Sequence, residues 1–326
     1  MNLKAAIYTK YGGPEVVDIR EIPKPLPKKC EVLIRTKATT VNSADWRLRS
    51  KTFPTGFGLI APLVFGITGP RKQILGTELS GVVEQVGDEV TEFKVGDAVF
   101  AMDDSGMGCH AEFKIIPASG TIAMKPENLS FEQAAAICFG GHTALSFLHK
   151  WGNIRPGEKV LVNGASGTTG LACIQIAKHF GTTVTAVCSR ENHDLVAKAG
   201  ADFAVDYTKE DFTLDGNTYD IIVDTAGTAP WSRVKASLAD TGRLLAILGT
   251  FFDMIRGQFL SKSKGKKLIS GPAEINRQDL HFLTELCKSG EFVPILDSVL
   301  PFEDIQKAHR RVDTGRKRGS VVLTFS

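Results

Sequence analysis

The sequence predicts a two-domain α/β chain, in which a doubly wound, six-stranded parallel sheet is joined to a β-rich domain. Three observations predict it. The 326 residues exceed the roughly 100 to 200 of a single domain. The first third alternates apolar and polar residues between Gly-Asp and Pro turns, as half-buried strands do. From Lys159 onward, short apolar runs alternate with helix-like ones, the order that builds a parallel sheet covered by helices.

Met1 to Tyr8 reads as a strand rather than a secretory leader. Glu31 to Thr36, Ser80 to Val86 and Asp97 to Ala101 continue the strand pattern, and the β-rich domain is expected over 1–126. The most apolar stretch, Gly56 to Gly69, contains Pro62 and is well short of the ~20 residues of a membrane helix. It reads as a buried or substrate-facing loop, with an ordinary core segment as the alternative. Ser130 with Gln133 is a capping box, because hydroxyl and amide satisfy each other's backbone N–H groups. It opens a helix through Ala134, Ala135 and Ala136.

Lys159 to Val162 breaks on Asn163-Gly164-Ala165-Ser166-Gly167-Thr168-Thr169-Gly170 and resumes as a helical pattern, Leu171 to Phe180. Missing side chains let the backbone of such a turn approach a pyrophosphate, and N–H groups at the helix start face the anion, aided by the helix dipole. Gly164, Ser166, Gly167, Thr168 and Thr169 are therefore the expected phosphate contacts. The spacing alone also fits a plain tight turn. Five further strand-like runs favour a dinucleotide-binding sheet over 127–271: Thr183 to Cys188, Phe203 to Asp206, Tyr219 to Asp224, Arg243 to Leu248 and Lys267 to Ser270.

The remainder, 272–326, reads as a helix from Arg277 to Lys288 stopped by Gly290, an extended piece to Leu300, a helix from Glu303 to Val312 and a strand from Ser320 to Thr324. It is expected to return to the β-rich domain.

A formal net charge of +3 sets up no strong field for nucleic acid or an anionic membrane, so a small-molecule partner is expected. Six scattered cysteines without regular spacing fit a reducing cytoplasm.

Several short motifs in a fixed order complete the reading: Tyr11-Gly12-Gly13-Pro14-Glu15-Val16, Asn42-Ser43-Ala44-Asp45-Trp46, Leu75-Gly76-Thr77-Glu78-Leu79-Ser80-Gly81, Val95-Gly96-Asp97, Ala111-Glu112-Phe113, the glycine turn, Gly200-Ala201-Asp202 and Gly319-Ser320-Val321-Val322. Together they resemble the medium-chain dehydrogenase/reductases, in their zinc-independent quinone-oxidoreductase-like branch, over essentially the whole chain. The resemblance implies a GroES-like catalytic domain, a Rossmann domain and an active site in the cleft between them.

Zinc-dependent relatives hold a catalytic metal with a Cys, a His in Gly-His-Glu and a further ligand. The matching positions here are Asn42 and, in Gly76-Thr77-Glu78, Thr77. Only Cys109 lies where a structural zinc lobe needs four cysteines, so no metal is expected. A new site from Cys109, His110, Cys138 and His142 is disfavoured, because adjacent residues on a strand face opposite sides and Cys138 sits in an apolar helical context.

NAD-specific sheets end the second strand on an acidic side chain about 20 residues after the turn. Ser189 and Arg190 stand there instead, and a hydroxyl with a guanidinium suits a 2′-phosphate. NADPH is the expected cofactor, with NADH the lesser alternative because Glu191 follows. The resemblance adds Tyr207 beside the adenosine phosphate, unless it is simply a packed aromatic at a strand end. It also adds Thr225 towards the adenine side, Leu248 and Gly249 beside the nicotinamide, and Thr143 at the nicotinamide ribose. Asn192 falls where some quinone reductases carry a phosphate-binding lysine. The basic run Lys262 to Lys267 reads as a solvated loop.

Without a metal, carbonyl polarisation is weak, so the expected acceptors are already activated: quinones and α,β-unsaturated carbonyls. Asn42 is expected to donate to the oxygen that gains charge or to order the nicotinamide side, with a plain turn residue as the alternative. Asp45 and Trp46 would line the same pocket, and the apolar loop Phe53 to Ile67, with Phe57 in it, together with Phe251 and Phe252, would touch the acceptor. Water is the expected proton source. The competing readings are a zinc-independent alcohol or ketone dehydrogenase and an NADPH-binding, crystallin-like protein with incidental catalysis. By analogy with the family the chain forms a homodimer, with Arg243 to Leu248 or Lys267 to Ser270 as the edge strand.

Overall fold

The structure, a computed structural model, describes residues 2–58, 61–260 and 265–326. Met1, Leu59 and Ile60 of the apolar loop, and Lys262 and Lys264 of the basic run lie outside the described residues. The chain divides into two compact units: Met1–Phe53, Gly58–Phe139 and Ile275–Ser326 form one, and Pro54–Phe57 with Gly140–Glu274 form the other.

The first unit begins with β1 (Asn2–Tyr8), β2 (Val17–Pro23), β3 (Glu31–Val41), α1 (Ser43–Ser50), α2 (Ala61–Phe65), β4 (Glu78–Val86), β5 (Ala98–Met102), β6 (Phe113–Pro117), β7 (Thr121–Met124) and α3 (Phe131–Ala135). Helix α4 (Cys138–Ala144) leads into β8 (Lys159–Asn163), α5 (Thr168–His179), β9 (Thr183–Cys188), α6 (His193–Lys198), β10 (Phe203–Asp206), β11 (Tyr219–Asp224), α7 (Trp231–Val234), β12 (Leu238–Ala246), α8 (Phe251–Leu260) and β13 (Lys267–Ile269). The chain then returns to the first unit as α9 (Arg277–Ser289), β14 (Leu296–Pro301), α10 (Ile305–Asp313) and β15 (Ser320–Thr324).

In the first unit the sheet runs β14-β15-β3-β4-β5-β7, with β6 also paired to β3. β15 lies antiparallel to β3, placing Val322 opposite Thr40, so the end of the chain completes the sheet. The core is built from strand positions such as Val32, Ile34, Leu79, Val99 and Ile122, each large aliphatic contributing about 1.5–3 kcal/mol on burial. On α10, Ile305, Ala308 and Val312 recur at helical spacing and pack with Tyr8, Val321 and Leu323. The Ser130–Gln133 capping box forms on both sides, but its helix ends at Ala135. After Ala136 and Ile137, α4 begins at Cys138.

In the second unit all six strands are parallel, in the order β10-β9-β8-β11-β12-β13. This is the doubly wound order, with the direction of travel reversing between β8 and β11. Leu161, Val187, Ile222, Leu244 and Leu268, one from each of five strands, share one core cluster. β12 starts earlier than its apolar run because Tyr219 pairs with Leu238 ahead of a register shift, and it ends at Ala246. It lies inside the sheet, so Arg243 to Leu248 is no edge. The free edges are β10 and β13. No helix among the described residues is long and apolar enough to cross a membrane.

Candidate functional site

In an open parallel sheet the ligand crevice lies beyond the strand C-termini, where the order reverses. The glycine turn follows β8 and the Asp224 segment follows β11, so both stand at that point. Gly164 has φ +77°, and a Cβ there would lie 2.5 Å from Thr225 Oγ1. Thr225 Oγ1 in turn donates towards the carbonyls of Asn163 and Gly164, at 2.9 and 3.0 Å. At Gly170 a Cβ would fall 2.4 Å from Gly164 O, so the helix can meet the strand this closely only without a side chain. Gly167 is different. A Cβ there would meet only Gly164 O, at 3.7 Å, and Gly167 is the N-cap of the twelve-residue α5 with no side-chain cap. Thr168 and Thr169 form its half-buried first turn. The cradle is open where an anion would approach the helix dipole.

Asn192 joins two parts of this region. Its Nδ2 donates to Ser166 Oγ at 3.3 Å and to Ser189 Oγ at 3.0 Å. Its side chain is buried, and its Oδ1 has no protein partner. Arg190 is exposed, its Nη1 3.1 Å from His193 Nδ1. The loop after β11 is held by Asp224, whose carboxylate accepts from the N–H groups of Ala226, Gly227 and Ala229 at 3.1, 2.9 and 2.9 Å and from Asn163 Nδ2 at 2.9 Å. Leu248 lies beside Gly227, and Gly249 follows it. Thr143 is half-buried in the same unit, while Tyr207, 63% exposed, stands beyond the outer strand β10. Phe57 meets Phe251 edge-on at 5.9 Å, and Phe251 N–H donates to Thr55 O at 3.1 Å.

Sequence reasoning placed Asn163 and Asp224 in these segments but missed their hydrogen-bonding roles, and it missed the bridging role of Asn192. A polar residue ending each apolar run is the only signal for the first two.

In the first unit Asn42 caps α1. Its Oδ1 accepts from Ala44 N–H at 2.9 Å and Asp45 N–H at 3.3 Å, and Asp45 Oδ2 accepts from Asn42 N–H at 2.9 Å. Asn42 Nδ2 donates to Thr77 Oγ1 at 3.0 Å. The second Nδ2 proton is the group Asn42 has to offer a ligand. Asp45, expected on the pocket wall, is fully buried, and its Oδ1 accepts from Gly76 N–H at 2.8 Å. It positions Asn42 and Gly76 instead of facing an acceptor. Trp46, expected beside it, packs against the core formed by Tyr8, Val16 and Phe302. Phe53 stacks on Phe65 at 5.6 Å.

Around this cap lie buried titratable groups that the sequence did not bring together. Glu78 accepts from Phe139 N–H at 2.7 Å and from Thr40 Oγ1, and burial pushes its carboxyl up to about 7. His110 Nε2 is 2.9 Å from Thr40 O and 3.9 Å from Asp45 Oδ2. The His110 and His309 rings meet edge-on at 5.9 Å. Burial, then the neighbouring His110 and Arg49, drive the His309 imidazole well below its usual range. Arg49, also buried, bonds Gly12 O at 2.7 Å and pairs with Asp313. Cys109 belongs to the core cluster of β3 and β4 while His110 faces Thr40.

The family described as "Alcohol dehydrogenase GroES-like domain" matches residues 28–126, and that described as "Zinc-binding dehydrogenase" matches residues 199–323. A chloroplastic quinone-oxidoreductase of Triphysaria versicolor is 31% identical over 98% of both chains. A 2-methylene-furan-3-one reductase of Solanum lycopersicum is 30% identical over 98% of this chain and 79% of its own. The solved structure of the quinone oxidoreductase from Coxiella burnetii superposes with a TM-score of 0.87 at 27% identity, covering all of both chains.

The zinc named by one of these families does not fit the residues present. An amide and a threonine hydroxyl, Asn42 and Thr77, bonded to each other, are not zinc ligands. Among the described residues no group of three or more His, Cys, Asp or Glu is placed to hold a metal. A nicotinamide dinucleotide does fit, by the open cradle at Gly167 and the unpartnered Asn192 Oδ1 beside the Ser166 and Ser189 hydroxyls.

Proposed function

Because the chain belongs to the medium-chain dehydrogenase/reductase superfamily, among its quinone-oxidoreductase-like members, we propose that it is a zinc-independent, NADPH-dependent reductase of quinones or α,β-unsaturated carbonyl compounds. The observation that carries the choice of cofactor is the end of β9. There Ser189, Arg190 and the buried Asn192 take the place of an acidic ribose ligand, and a guanidinium with hydroxyls suits the 2′-phosphate of NADPH.

NADPH, when bound, supplies the hydride. Gly164, Ser166, Gly167, Thr168 and Thr169 hold the pyrophosphate at the head of α5, and Ser189 and Arg190 hold the 2′-phosphate. Tyr207 and Thr225 flank the adenosine side, and Thr143, Leu248 and Gly249 flank the nicotinamide. Asn42 donates its second Nδ2 proton to the acceptor oxygen as charge collects there. Asp45 acts one step back by fixing the Asn42 backbone. A neutral amide stabilises an oxyanion less than a metal cation does, so an acceptor whose added charge is delocalised is favoured. Two of the named relatives, a quinone-oxidoreductase and a reductase of a methylene-furanone, act on acceptors of that kind. Phe53, Phe57 and Phe251 offer such acceptors apolar contact. The reading extends to a reducing cytoplasm, which suits six free thiols, and to a homodimer for which β13 is an available edge.

The test follows NADPH and NADH oxidation with an ortho-quinone, a para-quinone, an enone, an enal and a simple ketone. Turnover of the conjugated acceptors with a preference for NADPH is expected. Chelator-sensitive turnover of secondary alcohols would overturn the mechanism. Tight NADPH binding without turnover of any acceptor would favour a binding protein.

A further inference from the structure

The net charge of +3 conceals an uneven distribution. Residues 50–77 hold Lys51, Arg71 and Lys72 and no Asp or Glu. Residues 254–273 hold Arg256, Lys262, Lys264, Lys266 and Lys267, again without an acid, so the rest of the chain carries a net −5. The same two stretches expose large apolar side chains. In the first unit Leu63 is 61%, Val64 55% and Ile67 65% exposed on and just after α2. In the second, α8 exposes Phe252 at 67%, Ile255 at 40% and Phe259 at 72%.

Phe252, Ile255, Arg256 and Phe259 stand at i, i+3, i+4 and i+7, so they share one face of α8. Gly257 points the other way, onto the backbone of β13, where a Cβ would lie 2.7 Å from Leu268 O. The helix is thus anchored through its small residue and turns its aromatic row, with Arg256 inside it, to solvent. Of the basic residues that follow in sequence, Lys266 and Lys267 are described, and both are half-buried.

We propose that this face of α8 docks the protein on an anionic lipid surface. Aromatic side chains beside basic ones on an interfacial helix enter the headgroup region while their cations meet anionic lipid. A second copy of the chain is the poorer fit. By the 150–250 Å² scale of an aromatic side chain, the three apolar residues of α8 expose roughly 350 Å², well under the ~800 Å² per partner of a stable interface.

Vesicle sedimentation tests this without cofactor or acceptor, so its failure would leave the proposed reaction untouched. Wild-type protein is expected to bind phosphatidylcholine vesicles containing phosphatidylglycerol at least about tenfold better than pure phosphatidylcholine, and to lose that advantage at high salt. The Phe252→Asp/Phe259→Asp variant should lose about tenfold or more of this binding while keeping its melting temperature and NADPH affinity. Should that variant fail to fold, Phe252→Trp carries the test, its emission shifting to the blue on anionic vesicles. Absence of wild-type binding, or an unshifted Trp emission, overturns the proposal. So does a variant that binds vesicles as wild type does but changes its mass in light scattering, which would assign the face to a subunit interface.

Discussion

Asn42 and Thr77, far apart in sequence, are joined by a single hydrogen bond, Nδ2 to Oγ1 at 3.0 Å. The pair is neutral and built from groups that do not ligate zinc. Chelators are therefore expected to leave turnover unchanged in a steady-state assay. Asn42→Ala removes the α1 cap, which costs about 1 kcal/mol in a denaturant melt, and lowers kcat by about 10²-fold through the lost donor. Lost stability with kcat intact would make Asn42 a cap and nothing more.

Arg190 reaches solvent beside His193 at the end of β9. A charge-assisted bond contributes about 1.5–3 kcal/mol, so Arg190→Ala should weaken NADPH about 10- to 100-fold in a fluorescence titration and barely change NADH. Equal loss for the two nucleotides would remove its assigned role.

The glycines of the turn separate folding from binding. Gly170→Ala places a Cβ 2.4 Å from Gly164 O and should lower the melting temperature sharply. Gly167→Ala meets nothing closer than 3.7 Å, so the fold should tolerate it while NADPH affinity falls, because the methyl group fills the cradle. A Gly167→Ala protein that binds NADPH as wild type does would show that the pyrophosphate lies elsewhere.

Glu78 carries a proton to about pH 7 in the folded chain, from an ordinary value of 4.5, because it is buried. Between those values the folded form holds a proton that the unfolded form releases, so stability falls as pH rises through the window, by about 3 kcal/mol in all. Glu78→Gln should abolish that fall and be the more stable protein at pH 8. Parallel melting curves for the two proteins from pH 5 to 8 would contradict it.

His309 works in the other direction. Its imidazole stays neutral well below 6.5 because of burial and of His110 and Arg49, while the unfolded chain takes up the proton. Stability therefore falls as pH drops below 6.5, by about 1.4 kcal/mol per unit, until the folded group titrates. His309→Leu should flatten this acid limb. Below 6.5 the two groups oppose each other, so the effect is read as the difference between variant and wild-type profiles.

The fold was largely legible because its signals are local. The ends of β9, β10 and β11 stand where apolar runs meet polar turns, and Thr183, Cys188, Phe203, Asp206, Tyr219 and Asp224 mark them in the sequence. The start of β12 was not legible, because Asp240-Thr241-Gly242 interrupts the apolar run while the backbone still pairs across the shift. The glycine turn could be read from its glycines only together with the strand-like runs that follow it, because the spacing alone also fits a plain tight turn. Asp45 could not, since its burial depends on Gly76, 31 residues away. The same holds for Asn192, whose bridge exists only once β8 and β9 lie side by side and bring Ser166 to Ser189.

Asp224 spends its carboxylate on three backbone amides and on Asn163. The loop carrying Thr225 has therefore surrendered its conformational freedom during folding rather than at encounter. A dinucleotide arriving there freezes little that was loose, so crystals grown with and without it should superimpose over Asp224 to Ala229, and rival nucleotides should differ in how fast they leave more than in how fast they arrive.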